Sequence, residues 1–186
     1  MSLQEQQNFL ARLYTDAELR RAFLSRSEQI GAQHDLNKSE IAEIAEIMPE
    51  ELNFFAESLF WKRLREVEKL LPLTKEFLKD DFVELFREFS KDFNPQTIKK
   101  HLEDAIEFCR FLQKSDISEL TQSIAEFEQT KLEFFGYGKR FAFCRLSFDI
   151  RKIQRRDSET QRLKLEKRKT IAIWLRFGKK IKHFTI

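Results

Sequence analysis

The sequence predicts an α+β protein: a multi-helix bundle of short helices over residues 1–136, then a small three-stranded antiparallel sheet within residues 137–186. Three observations carry that prediction. Apolar residues recur at spacings of three and four up to Phe135 and every second residue afterwards, which is the change from a helical to a half-buried strand period. The change falls at Gly136-Tyr137-Gly138, where two of the chain's four glycines stand. Charge turns over at the same place, with 18 Lys+Arg against 27 Asp+Glu in residues 1–136 and 16 against 4 in residues 137–186.

Ser2 with Glu5 and Thr15 with Glu18 have the spacing of capping boxes, so helices are predicted from about Leu3 to Tyr14 and from Asp16 to Leu24. Their inner faces are Leu10, Leu13 and Tyr14, then Leu19, Phe23 and Leu24. Ile30 belongs to a further short helix ending near His34, and Asn37 or Ser39 caps the next, which turns Ile41, Ile44 and Ala45 inward. Pro49 suits a first helical turn, where its missing N–H costs nothing. The helix it opens is the longest, because Leu52, Phe55, Ala56, Leu59, Phe60, Leu64, Val67, Leu70 and Leu71 keep helical spacing for five turns until Pro72 ends or kinks it. Shorter helices follow over Leu73–Lys79, over Asp80–Phe93 with Phe82, Leu85, Phe86 and Phe89 inward, over Thr97–Gln113, and from Ile117 to about Phe135.

Past Gly138, Cys144, Leu146, Phe148 and Ile150 alternate with polar residues, and Ile171, Ile173, Leu175 and Phe177 repeat the pattern opposite Thr170, Ala172, Trp174 and Arg176. The second apolar stripe is expected to cover the helical body. Gly178-Lys179 fits a two-residue hairpin turn leading to a closing strand, Lys180–Ile186. The polar stretch from Gln154 to Arg168 joins the first two strands and has almost nothing to bury.

Composition narrows the function classes. The 20 phenylalanines supply a core for a chain of 186 residues, while two cysteines and three histidines make neither a disulfide framework nor a familiar zinc site. The N-terminus lacks the pattern of a signal peptide and no apolar run is long enough to cross a bilayer, so the expectation is a cytoplasmic protein without membrane attachment. No phosphate-binding glycine loop, nucleophile elbow or H-E-x-x-H motif occurs, so no enzyme, cofactor or metal is expected. His101 and Asp104, three apart on one helix, are the outside metal candidates; the simpler reading is a helix N-terminal histidine bonded to a neighbouring carboxylate.

The candidates for partner binding are Trp174 and Arg176 on one strand face, Arg151, Arg155 and Arg156 in the basic tail, and Trp61 with Arg63 on the long helix. Trp174 either covers a second layer of core or presents a ring for stacking. The basic tail either meets an outside polyanion or packs on the acidic helices of its own chain. Nucleic acid is the rival partner, held weakly and without sequence preference through Arg151, Lys152, Arg155, Arg156, Arg168 and Lys169.

The runs Phe9-Leu10-Ala11-Arg12-Leu13-Tyr14-Thr15-Asp16, Phe55-Ala56-Glu57-Ser58-Leu59 with Lys62-Arg63, Leu71-Pro72-Leu73-Thr74, and Lys99-Lys100-His101 with Asp104-Ala105 and Phe108 resemble an uncharacterised bacterial helical family. The tail runs Phe148-Asp149-Ile150-Arg151 and Ile173-Trp174-Leu175-Arg176 resemble it too, so the similarity spans most of the chain. In that family the module occurs alone or attached to a multinuclear nonheme iron oxygenase of peptide natural-product biosynthesis. The resemblance implies a non-enzymatic adaptor that binds a protein or peptide, with the oxygenase on a separate chain.

Overall fold

A computed structural model describes residues 3–95, 97–151 and 167–186. Among the described residues nine helices precede a three-stranded antiparallel sheet of order β1-β2-β3. The chain forms two compact units, Met1–Arg65 and Glu66–Ile186, so the division falls inside the long fifth helix and the sheet shares a unit with the later helices.

The first unit holds α1 (Leu3–Thr15), α2 (Ala17–Ser25), α3 (Ser27–Gln33), α4 (Lys38–Ala45) and the start of α5 (Pro49–Leu70). Phe9, Leu13, Phe23, Ile30, Leu36, Ile41 and Ile44 form its core, with Phe9 and Phe23 edge-on at 5.4 Å. Asp16, rather than Thr15, starts α2: its carboxylate accepts from the amides of Glu18 and Leu19, while the Thr15 hydroxyl turns back to the Ala11 carbonyl. Asn37 caps α4 in a full capping box with Glu40. The turn between α3 and α4 is tight, and a side chain at Gly31 would run into Ile41 at 2.5 Å.

The second unit holds the end of α5, α6 (Pro72–Leu78), α7 (Asp81–Asp92), α8 (Lys100–Leu112), α9 (Glu119–Gly136), β1 (Phe141–Phe148), β2 (Lys167–Phe177) and β3 (Lys180–Thr185). Pro72 stops α5 and serves as the first residue of α6, where no amide is needed. Phe108 of α8 sits among Phe82, Phe86 and Phe89 of α7, with ring centroids 5.2 to 5.4 Å apart. Ile124, Phe127 and Phe134 of α9 pack on the inner face of the sheet against Cys144, Leu146, Ala172 and Trp174.

Pairing sets the sheet's two faces. Cys144 stands opposite Ala172, Ala142 opposite Trp174, and Trp174 opposite His183, so these residues share the inner face. Gly178, at φ 59, takes the first position of the hairpin turn between Phe177 and Lys180.

The phase of β1 agrees with its alternation, since Cys144, Leu146 and Phe148 are buried, although the strand ends at Phe148. For β2 the expectation is corrected. The buried residues are Thr170, Ala172 and Trp174, and the stripe Ile171, Ile173, Leu175, Phe177 lies on the outer face. Both faces of β2 carry apolar residues, so counting them does not decide the phase. Packing does: the Thr170 hydroxyl donates to the Phe148 carbonyl at 2.8 Å, and Trp174 lies 5.3 Å from Phe127.

Candidate functional site

The outer face of the sheet is built by alternation on three adjacent strands. Odd-numbered residues of β1 and β2 and even-numbered residues of β3 point the same way, because Phe143 pairs with Ile173 and Ile173 with Phe184, while Phe141 pairs with Leu175. Ile186 extends the set through backbone bonds to Ile171 in both directions. Phe141 and Phe143 are each 52% exposed, Phe177 60%, Phe184 44% and Ile186 74%. Ile173 and Leu175 fill the middle, half-buried by their neighbours. At about 200 Å² per ring, the four phenylalanines alone leave roughly 400 Å² of apolar surface open, the size at which a patch on a monomer is commonly functional.

Cations border this face. Arg145 pairs with Ile171, Lys182 with Leu175 and Lys180 with Phe177, so all three stand on the outer side. All are exposed, and none forms an ion pair among the described residues.

The residues singled out in the sequence fall in other places. Trp174 is 2% exposed and stacked on His183 at 4.8 Å, so of its two readings the core layer is the one observed. Burial, with Lys131 nearby, holds the His183 imidazole below its usual range. Arg176 reaches the end of α9, donating from Nε to the Lys139 carbonyl at 3.2 Å and lying 5.1 Å over the Phe134 ring. With Lys99, which donates to the Gly136 carbonyl at 2.6 Å, it closes a helix C-terminus that favours positive charge.

Arg151 is held in the chain. Its Nε and Nη2 each donate at 2.9 Å to the nearly buried Asp149 carboxylate, and its Nη1 reaches the Thr185 carbonyl of β3 at 3.4 Å. These hydrogen bonds hold the Asp149 carboxyl below its usual range. Arg168 stands 4.0 Å from the same carboxylate and Lys167 pairs with Glu119, so the start of the basic β2 meets acids of its own chain. Arg155 and Arg156, like Lys152, lie outside the described residues. Trp61, 41% exposed and edge-on to Phe60, and the half-buried Arg63 belong to the first unit.

His101 is exposed whereas Asp104 is fully buried, so three-residue spacing does not place them on one surface. Among the described residues no group of three or more His, Cys, Asp or Glu is placed to hold a metal. Burial pushes the Cys109 thiol well up and the Cys144 thiol up to about 12, which keeps both protonated at neutral pH. A groove of about 310 Å³ over Phe89, Phe93 and Phe111 carries Arg110 and Glu107 at its rim, and Arg110 is bound there to Glu107 and to Glu133. Among the described residues, no helix is long and apolar enough to cross a membrane.

Compared with known proteins, the chain matches no protein-family model and no curated protein.

The open face is therefore a feature that sequence reasoning assigned to the wrong side. Its signal was present: Phe141 and Phe143 alternate with Ala142 and Cys144, and Phe184 and Ile186 alternate with His183 and Thr185. A sheet with apolar residues on both sides has only one side covered by α9.

Proposed function

We propose that this protein is a non-enzymatic binding module that docks a protein or peptide partner on the outer face of its C-terminal sheet. The observation that carries the reading is the apolar surface of Phe141, Phe143, Phe177, Phe184 and Ile186, displayed beside cations that form no ion pair among the described residues. Apolar surface of that extent is stabilised by removal from water, and a partner is the means of removing it. The resemblance described above makes an iron oxygenase of peptide biosynthesis, or its peptide substrate, the first partner to test.

A second reading has one observation in its favour. Phe141, Phe143 and Phe184 share a face with Arg145, Lys180 and Lys182, and rings with cations on a sheet are the materials for stacking single-stranded nucleic acid. Affinity capture from the native host separates the two. The wild-type chain is expected to retain a specific protein that the Phe143→Ser/Phe184→Ser variant loses; an identical set of retained proteins refutes the docking face, and retention of nucleic acid alone supports the second reading.

A further inference from the structure

Resting on that reading, we infer that the occupant of the outer sheet face is an acidic amphipathic helix of the partner. The argument begins with shape. Three strands at ~4.8 Å spacing present a surface ~10 Å across, which is the width of one helix with its side chains. From Ile171 to Phe177 the apolar column of β2 runs about 20 Å at ~3.3 Å per residue, the length of roughly 13 helical residues. The inner face already carries α9, so a helix outside completes a helix–sheet–helix sandwich, the usual way of covering a sheet that is apolar on both sides.

Charge then sets the chemistry of the helix. The three strands hold seven cations, Arg145, Lys167, Arg168, Lys169, Arg176, Lys180 and Lys182, and no aspartate or glutamate. Lys167 and Arg168 meet acids of the chain and Arg176 sits at the end of α9, while Lys169 stands on the outer side at the start of β2, two residues before Ile171. Arg145, Lys180 and Lys182 flank the face and have no ion pair among the described residues. Asp and Glu on either side of an apolar i, i+3, i+4, i+7 stripe would meet them, and basic residues there would be repelled.

The same features disfavour the alternatives. A second copy packed face to face would set Arg145, Lys180 and Lys182 against the same cations. A nucleic acid would find Phe141 and Phe143 side by side at 5.7 Å but separated from Phe184 by Ile173, with Ile171, Leu175 and Ile186 filling the rest of the face and offering no flat surface to stack a base on.

The test uses the full chain and two fluorescein-labelled, hydrocarbon-stapled 14-residue peptides. Both carry leucine at i, i+3, i+4 and i+7, one with glutamate and the other with lysine at the flanking positions. A labelled single-stranded 12-mer is the third probe, and all are titrated by anisotropy at physiological salt. The glutamate peptide is expected to bind roughly tenfold tighter than the lysine peptide, as a few exposed charge pairs allow. Phe143→Ser should weaken both peptides by at least about tenfold, and Lys180→Glu/Lys182→Glu should reverse the preference between them. Circular dichroism identical to wild type shows that these surface variants are folded. Equal affinity for the two peptides overturns the inference, as does a preference unchanged by the lysine reversals. Tighter binding of the oligonucleotide, or self-association abolished by Phe143→Ser, overturns it in favour of nucleic acid or a second copy. If the peptides fail while affinity capture still depends on Phe143 and Phe184, the docking face stands and only the acidic helix falls; if both fail, the face is not a docking site.

Discussion

Removing the carboxylate of Glu128 should destabilise the second unit by about 3 kcal/mol. Glu128 sits on α9 at 3% exposure and accepts from the Leu73 amide at 3.1 Å through one oxygen and from the Thr74 amide at 2.8 Å through the other. These are orphan donors at the start of α6, and the residue before that helix, Leu71, has no side-chain acceptor to serve them. Glu128→Ala leaves two amides without a partner, each costing ~1–3 kcal/mol when kept from water; partial relaxation brings the sum to about 3. Glu128→Gln keeps one acceptor oxygen and should cost roughly half as much.

The charge of Glu128 has a sign of its own. Burial raises its carboxyl above the usual range despite the hydrogen bonds from Thr74 and Leu73. A raised carboxyl in the folded state means that stability is fullest below the ordinary value of ~4.3 and falls as pH rises through the folded value. The advantage of wild type over Glu128→Gln should therefore shrink as pH rises through that window. Urea unfolding followed by Trp174 fluorescence in a Trp61→Phe background reads the second unit alone. A cost for Glu128→Ala within about 0.5 kcal/mol of zero would refute the capping role.

The two sides of the sheet should respond oppositely to truncation. Trp174→Ala removes a buried ring against Phe127 and should cost about 3–5 kcal/mol in urea unfolding followed by circular dichroism, whereas Phe143→Ser should cost under about 1 kcal/mol and reduce aggregation of the free protein. Asp149→Asn should cost about 1–3 kcal/mol by removing the negative charge and one of the two oxygens that accept from Arg151. Because the Asp149 carboxyl is held low, its contribution is present above the ordinary value of ~3.9 and is lost as pH falls through the folded value, which acid titration of wild type against Asp149→Asn checks. Cys109 and Cys144 should react with a thiol reagent at pH 8 only as fast as the unit unfolds, so a fast native phase would contradict their burial.

The helices were legible because their signals are local. Pro49 marks a helix start, Pro72 marks the end of the long helix and Asn37 makes a capping box, so order and approximate bounds follow from neighbouring residues alone. The fold class and the hairpin at Gly178 were legible for the same reason. The phase of β2 was not, because it depends on partners distant in sequence: Phe127 for Trp174, Phe148 for Thr170, and the end of α9 for Arg176. Arg151 is held by one local partner, Asp149 two residues earlier, and by one distant partner, the Thr185 carbonyl. The division of the chain within α5 left no mark in composition, since the apolar spacing of that helix continues across Arg65.

The most direct measurement of the central claim is site-specific photo-crosslinking in the native host. A benzoylphenylalanine is placed in turn at position 143, at position 184 and at the exposed position 76 on α6 of the same unit. A docking face predicts that one and the same protein is captured from 143 and from 184, and not from 76. Capture of unrelated proteins from 143 and 184, or of the same protein equally well from 76, would contradict it.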